Sequence, residues 1–77
     1  MTARASQPAA EVTVAVNGAS RSVPFGSTLA LLVADLGLAG RPIAVEVDGV
    51  VVSRADLTER RVRGGERIEI VSFVGGG

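Results

Sequence analysis

Apolar and polar side chains alternate in two short stretches of the chain, and a turn signal follows each of them. Residues 12–16 (VTVAV) alternate and are rich in β-branched side chains, as expected of a strand with one buried face. Asn17-Gly18 comes next and predicts a hairpin, because both central residues of a type I′ turn need positive φ. Ile43–Val47 alternates in the same way before a second turn at Asp48-Gly49. The returning strands are predicted over residues 21–25 and Val50–Val52.

A helical pattern separates the two hairpins. Leucine and valine recur there at helical spacing, so they form one apolar stripe. The stripe consists of Leu29, Leu32, Val33 and Leu36. Ser27 or Thr28 can cap the first turn with its hydroxyl. Gly37 suits a left-handed C-terminal cap, with Leu38 folding back onto the last turn.

The remaining pattern completes the fold prediction. Residues 53–57 predict a single helical turn with Ser53 and Asp56 as a reciprocal cap, and residues 67–73 predict the last strand. The apolar stripe of the helix needs a sheet face as its partner. The final strand can then pair beside the first, in the centre of a mixed sheet. These elements predict an α+β fold of the ubiquitin-like β-grasp type, with one main helix on one face of the sheet.

The alternation along the last strand predicts which of its residues face outward. Ile68 and Ile70 share the face that the helix covers, and Val71 and Phe73 point the other way. An apolar pair on an uncovered face suggests a surface where a partner docks, and we include Val74 in it. The alternative is that Phe73 tucks against an edge loop. Arg54 is a candidate for steering the partner, although most surface arginines are simply solvated.

The sequence ends in Phe73-Val74-Gly75-Gly76-Gly77, and a run of glycines is not needed by a strand or a helix. Without Cβ atoms, Gly75 and Gly76 allow the main chain to thread into a narrow site of a partner. Gly77 would then present its carboxylate for reaction. We therefore divide the chain into a disordered extension over residues 1–10, a domain over residues 11–74 and a flexible tail over residues 75–77.

Composition excludes several classes of function. The chain has 77 residues with eight acidic and eight basic side chains, all of the latter arginine, and it has no cysteine, histidine or lysine. It therefore lacks a thiolate nucleophile, an amine for Schiff-base chemistry and the usual metal ligands, so we expect no enzyme activity, bound cofactor or metal site. Two phenylalanines and balanced charge argue against nucleic-acid binding. The absence of a long apolar run and of a signal pattern predicts no membrane span and a cytoplasmic location.

Several motifs occur together in a characteristic order. They are Val16-Asn17-Gly18, Thr28-Leu29, residues 43–49 (IAVEVDG), Val52-Ser53-Arg54, residues 65–71 (GERIEIV) and the final glycines. With these motifs, residues 12–77 resemble the ThiS family, the sulfur carriers of bacterial thiamine synthesis. Ser53 stands where the family more often has proline, and Gly75 adds a third glycine to a tail that is commonly a pair.

The resemblance implies a mechanism and partners. An E1-like, ThiF-type enzyme uses ATP to adenylate the Gly77 carboxylate, and sulfur from a persulfide supplied by a cysteine desulfurase displaces AMP to leave a thiocarboxylate. A ThiG-type thiazole synthase then takes the sulfur into the thiazole ring. A carboxylate is a poor electrophile, so it needs this external activation. The carrier itself would bind no cofactor and would be a monomer when free.

Three alternatives stay open from the sequence. Related carriers supply sulfur for molybdopterin, cysteine or natural-product synthesis, although residues 71–74 lack the proline that is usual before a molybdopterin-type tail. A ubiquitin-like modifier would be conjugated to lysines of other proteins through Gly77. An inert β-grasp interaction module would leave the glycine end without a role.

Overall fold

Five strands form one mixed sheet in the computed structural model, which describes residues 10–73. They are β1 (Glu11–Val16), β2 (Ala19–Pro24), β3 (Ile43–Val47), β4 (Val50–Val52) and β5 (Arg67–Ser72). Their spatial order is β2-β1-β5-β3-β4, so the last strand lies in the centre. β5 runs parallel to β1 and antiparallel to β3. The predicted mixed sheet with a central last strand is confirmed.

One helix, α1 (Leu29–Asp35), supplies apolar side chains to the core together with the sheet. Leu29 from the helix and Ile68 from β5 are fully buried. Full burial of one such side chain contributes roughly 1.5–3 kcal/mol to the free energy of unfolding. The contact between α1 and the sheet is therefore a main source of stability in so small a domain. The rest of the core comes from α1, from alternate residues of the strands and from the segment between β4 and β5. These residues are Val14, Val16, Val23, Leu32, Val33, Val45, Val47, Leu57, Val62 and Ile70.

Both predicted ends of α1 are present. The hydroxyl of Thr28 accepts a hydrogen bond from the Leu31 amide at 3.2 Å, so Thr28 is the N-cap. At the other end Gly37 has φ +79°. The Gly37 amide donates to the Ala34 carbonyl at 2.9 Å, and the Leu38 amide donates to Val33 at 3.0 Å. These two bonds form a Schellman motif, which occupies carbonyls that the helix end would otherwise leave unpaired.

Three local predictions differ from the structure. β2 covers Ala19–Pro24 rather than residues 21–25, because the two-residue turn pairs Ala19 directly with Val16. The reciprocal cap at Ser53 is wrong, because its side chain makes no capping hydrogen bond. Residues Arg54–Asp56 form a 3₁₀ turn, in which the Asp56 amide donates to the main-chain carbonyl of Ser53 at 2.9 Å. The last strand ends at Ser72 rather than at Phe73. The Phe73 amide still donates to the Pro42 carbonyl at 2.9 Å, but proline has no N–H to return the second bond of the ladder.

Candidate functional site

Near its end, β5 is hydrogen-bonded to a side chain, because β1 has already ended and no longer pairs with it. β1 and β5 pair at Ala15 with Arg67 and at Val16 with Ile68, and the β1–β2 hairpin then turns away at Asn17. The Asn17 carboxamide accepts a hydrogen bond from the Ile70 amide at 2.7 Å and donates to the Ile70 carbonyl at 3.2 Å. Sequence reasoning identified Asn17 only as a turn residue. Its amide group, which can both donate and accept, was the available signal for this second role.

The start of β5 is tied to the other hairpin turn. The Asp48 amide donates to the Arg67 carbonyl at 2.8 Å, and the Arg67 amide donates to a carboxylate oxygen of Asp48 at 2.9 Å. Asn17 and Asp48 both have positive φ, at 50° and 51°. The two turn residues therefore fix the central strand from opposite sides, Asp48 at its start and Asn17 near its end.

The uncovered face of the sheet carries the apolar pair predicted for docking. Ile68 and Ile70 are buried, whereas Val71 is 54% exposed and Phe73 is 56% exposed. The predicted alternation is therefore confirmed from Arg67 to Val71, and the exposure of Phe73 shows that it is not tucked against a loop. Ala44 of β3 lies directly opposite Val71 and extends this apolar surface toward the sheet edge.

Arg54 lies at the same end of the sheet as Phe73. Its guanidinium donates to the Arg41 carbonyl at 3.0 Å, and the next carbonyl, that of Pro42, accepts from the Phe73 amide. Two successive carbonyls thus hold the predicted steering arginine and the last described residue of the chain. The predicted site residues Val74, Gly75, Gly76 and Gly77 lie outside the described range.

Three arginines, Arg60, Arg61 and Arg63, form a basic cluster in the loop before β5, and two of them contact Glu66. Glu66 is almost fully buried, and its carboxylate pairs with the Arg60 guanidinium at 2.7 Å. The other carboxylate oxygen accepts the Arg63 amide at 2.8 Å. This contact neutralises part of the cluster and fixes the loop before β5. In residues 10–73 there is no group of three or more acidic, histidine or cysteine side chains placed to hold a metal. Within the same range, no helical segment has both the length and the apolar character to cross a membrane.

The sheet order, the one α-helix found in residues 10–73 and the central last strand define a β-grasp protein. The chain belongs to the ThiS family, whose family model matches residues 14–77. The structure is similar to the crystal structure of a thiamine biosynthesis protein (ThiS) from Geobacter metallireducens, with a TM-score of 0.73 and 28% identity. That match covers 86% of this chain and all of the other.

A second similarity links the chain to a much longer protein. It is 34% identical over 62 residues to a thiazole synthase from Paramagnetospirillum magneticum. The match covers 80% of this chain but only 19% of the length of that relative.

Proposed function

We propose that the chain is a sulfur carrier of thiamine biosynthesis whose reactive group is the carboxylate of Gly77. The observation that carries this proposal is membership of the ThiS family in a fold whose central strand, β5, ends at Ser72, shortly before the glycine run. Because hydrogen bonds from Asp48 and Asn17 fix β5 on both sides, the residues that follow the strand leave the domain from a defined position. Gly75 and Gly76 would pass through a narrow channel of the partner, because they have no Cβ atoms.

The proposed reaction is performed by partner enzymes on the carrier. A ThiF-type adenylyltransferase transfers the AMP group of ATP to the Gly77 carboxylate and releases pyrophosphate. The terminal sulfur of a persulfide, made by a cysteine desulfurase, then attacks the acyl adenylate, displaces AMP and forms an acyl disulfide. A thiol attacks the other sulfur of that disulfide, which releases the thiocarboxylate and leaves a disulfide between the thiol and the persulfide's cysteine. The carrier therefore acts as a co-substrate in the cytoplasm rather than as an enzyme. The side chains of Val71, Phe73 and Val74 would dock on the partner, with Arg54 at their edge.

The proposed acceptor of the sulfur is a ThiG-type thiazole synthase. Support comes from the relative named thiazole synthase, in which a segment similar to this chain occupies about a fifth of the length. A carrier segment and a synthase in one polypeptide would meet at high effective concentration, which suits two components of one sulfur transfer. For separate chains, the same pair would associate through the exposed end of the sheet.

Intact-mass spectrometry tests the sulfur-transfer chemistry. The chain is incubated with ATP, the ThiF-type enzyme, a persulfide source and a thiol reductant, and the expected product has one C-terminal oxygen replaced by sulfur. The matched control is a variant without Gly77, which should fold normally and remain unmodified. Thiolation of that shortened variant, or failure of the full chain to gain sulfur, would contradict the proposal.

Genetic rescue distinguishes the pathway from its alternatives. Expression of the chain should restore growth of a thiamine-requiring strain that lacks its own carrier. Rescue of molybdenum-cofactor synthesis alone would assign the chain to the related carriers. A ladder of covalent conjugates in cell extracts would instead identify a ubiquitin-like modifier.

A further inference from the structure

Two glutamates face each other on the uncovered side of the sheet. The register of β3 and β5 places Glu46 directly opposite Glu69. Residues before and after each of them, such as Val45 and Ile68, are buried in the core, so both glutamates point away from α1. Each is half-buried. The centre of the exposed face therefore carries two negative charges on adjacent strands.

Neither charge is compensated within the described part of the chain. The ion pairs found in residues 10–73 join Arg21 to Asp35 and Arg60 to Glu66. Arg67 lies two residues before Glu69 on the same face but makes no ion pair or side-chain hydrogen bond with either glutamate. Like charges placed directly opposite each other destabilise a sheet. The free carrier thus retains an unfavourable arrangement that a bound cation would relieve.

Apolar side chains flank the two carboxylates. Val51 of β4 lies opposite Glu46 on its other side and is 66% exposed. Val71 follows Glu69 on the same face of β5, with Ala44 opposite it. The surface formed by Glu46, Glu69, Val51, Val71 and Ala44 will be called the acidic face. A partner that covers its valines also removes water from its carboxylates, which strengthens any contact with a cation.

We infer that the acidic face docks a protein surface presenting an arginine or lysine between apolar side chains. The occupant is the adenylating enzyme, so this inference rests on the proposed function. Arginine suits the site best, because its planar guanidinium can bind two carboxylate oxygens at once. The same charge repels an anionic lipid surface. Because the acidic face is continuous with Phe73, it orients the carrier while the tail enters the active site.

The test measures binding separately from chemistry. The dissociation constant of the complex with the purified ThiF-type enzyme is determined for the wild-type chain and for E46Q/E69Q. The control is D35N, which removes one negative charge from an exposed position of α1, on the covered side of the sheet. We expect the double variant to bind about tenfold more weakly and to lose most of the salt dependence of binding. The control should stay within about twofold.

Thermal unfolding of the same variants separates docking from folding. Removal of the facing charges should leave the melting temperature of E46Q/E69Q equal to or above that of the wild type, since a repulsion is lost. Weaker binding by a chain of undiminished stability supports the inference. Wild-type affinity in the double variant would overturn it, and thiolation of the wild-type chain would then still support the carrier function. A wild-type chain that is neither bound nor thiolated would overturn both.

Discussion

The carboxamide of Asn17 binds both main-chain polar groups of Ile70, although β1 has already ended beside them. The side chain thereby takes the place of one more residue of a parallel strand. Ile70 is only 8% exposed, so its amide and carbonyl have little access to water on this side. A single turn residue thus extends the pairing of the central strand by one position toward the glycine run.

Asn17→Gly should destabilise the domain by about 2 kcal/mol, because it leaves a buried donor and a buried acceptor without partners. Glycine tolerates the positive φ of the turn, so the loss reports the side chain rather than the backbone. Urea unfolding gives the change in free energy, and hydrogen exchange should show faster exchange of the Ile70 amide.

Asp48→Gly is the matched control for that substitution. It changes the same position of the other hairpin turn, where φ is nearly equal, but removes one exposed hydrogen bond to Arg67. We expect a loss of about 0.5–1 kcal/mol. Equal losses for the two variants would show that the Asn17–Ile70 contact has no special weight.

The buried carboxylate of Glu66 should be much more important for stability than an exposed one. Glu66→Ala removes the partner of Arg60 and leaves the Arg63 amide unpaired, so we expect a loss of about 2–3 kcal/mol. Asp35→Ala breaks the exposed ion pair with Arg21 and should change stability by less than about 0.5 kcal/mol. Chemical denaturation of both variants checks the contrast, and similar losses would refute it.

Gly37→Ala should cost about 1 kcal/mol, because an L-residue is forced into the left-handed region at the end of α1. No other atom lies within 4 Å of the added Cβ, so the loss comes from φ alone. Gly64→Ala is the control. Its Cβ would contact Val12 at an ordinary 3.5 Å, and its φ is not positive, so stability should be kept or raised slightly. Thermal unfolding measures both, and a neutral Gly37→Ala would contradict this account of the cap.

The proposed docking role of Phe73 can be tested against a second exposed phenylalanine. Phe25 is 72% exposed but follows β2, on the sheet edge away from β3 and β4. Phe73→Ala should raise the KM of the adenylating enzyme for the carrier by about tenfold through the loss of an apolar anchor, with stability nearly unchanged. Phe25→Ala should leave that KM unchanged. An equal effect of both substitutions would remove Phe73 from the docking surface.

The fold was largely predictable because its signals are local. Alternation, two glycine-containing turns and one apolar stripe indicated every strand and α1, and the cap at Gly37 followed from glycine's tolerance of positive φ. The prediction of a side-chain cap at Ser53 was wrong, because the Asp56 amide donates to the main-chain carbonyl of Ser53 instead of to its hydroxyl. The end of β5 depended on Pro42, which is distant in sequence and only meets Phe73 once β3 and β5 pair.

The sequence by itself determined the elements, the outward direction of Val71 and the glycine ending, because these depend on neighbours along the chain. Only the tertiary structure decided which groups meet across strands. The hold of Asn17 on Ile70 and the opposition of Glu46 and Glu69 are both set by strand register. The alternation of apolar residues fixes which face of β5 is buried, but no hairpin turn joins β5 to β1 or β3, so the opposing residues are selected only when the sheet assembles.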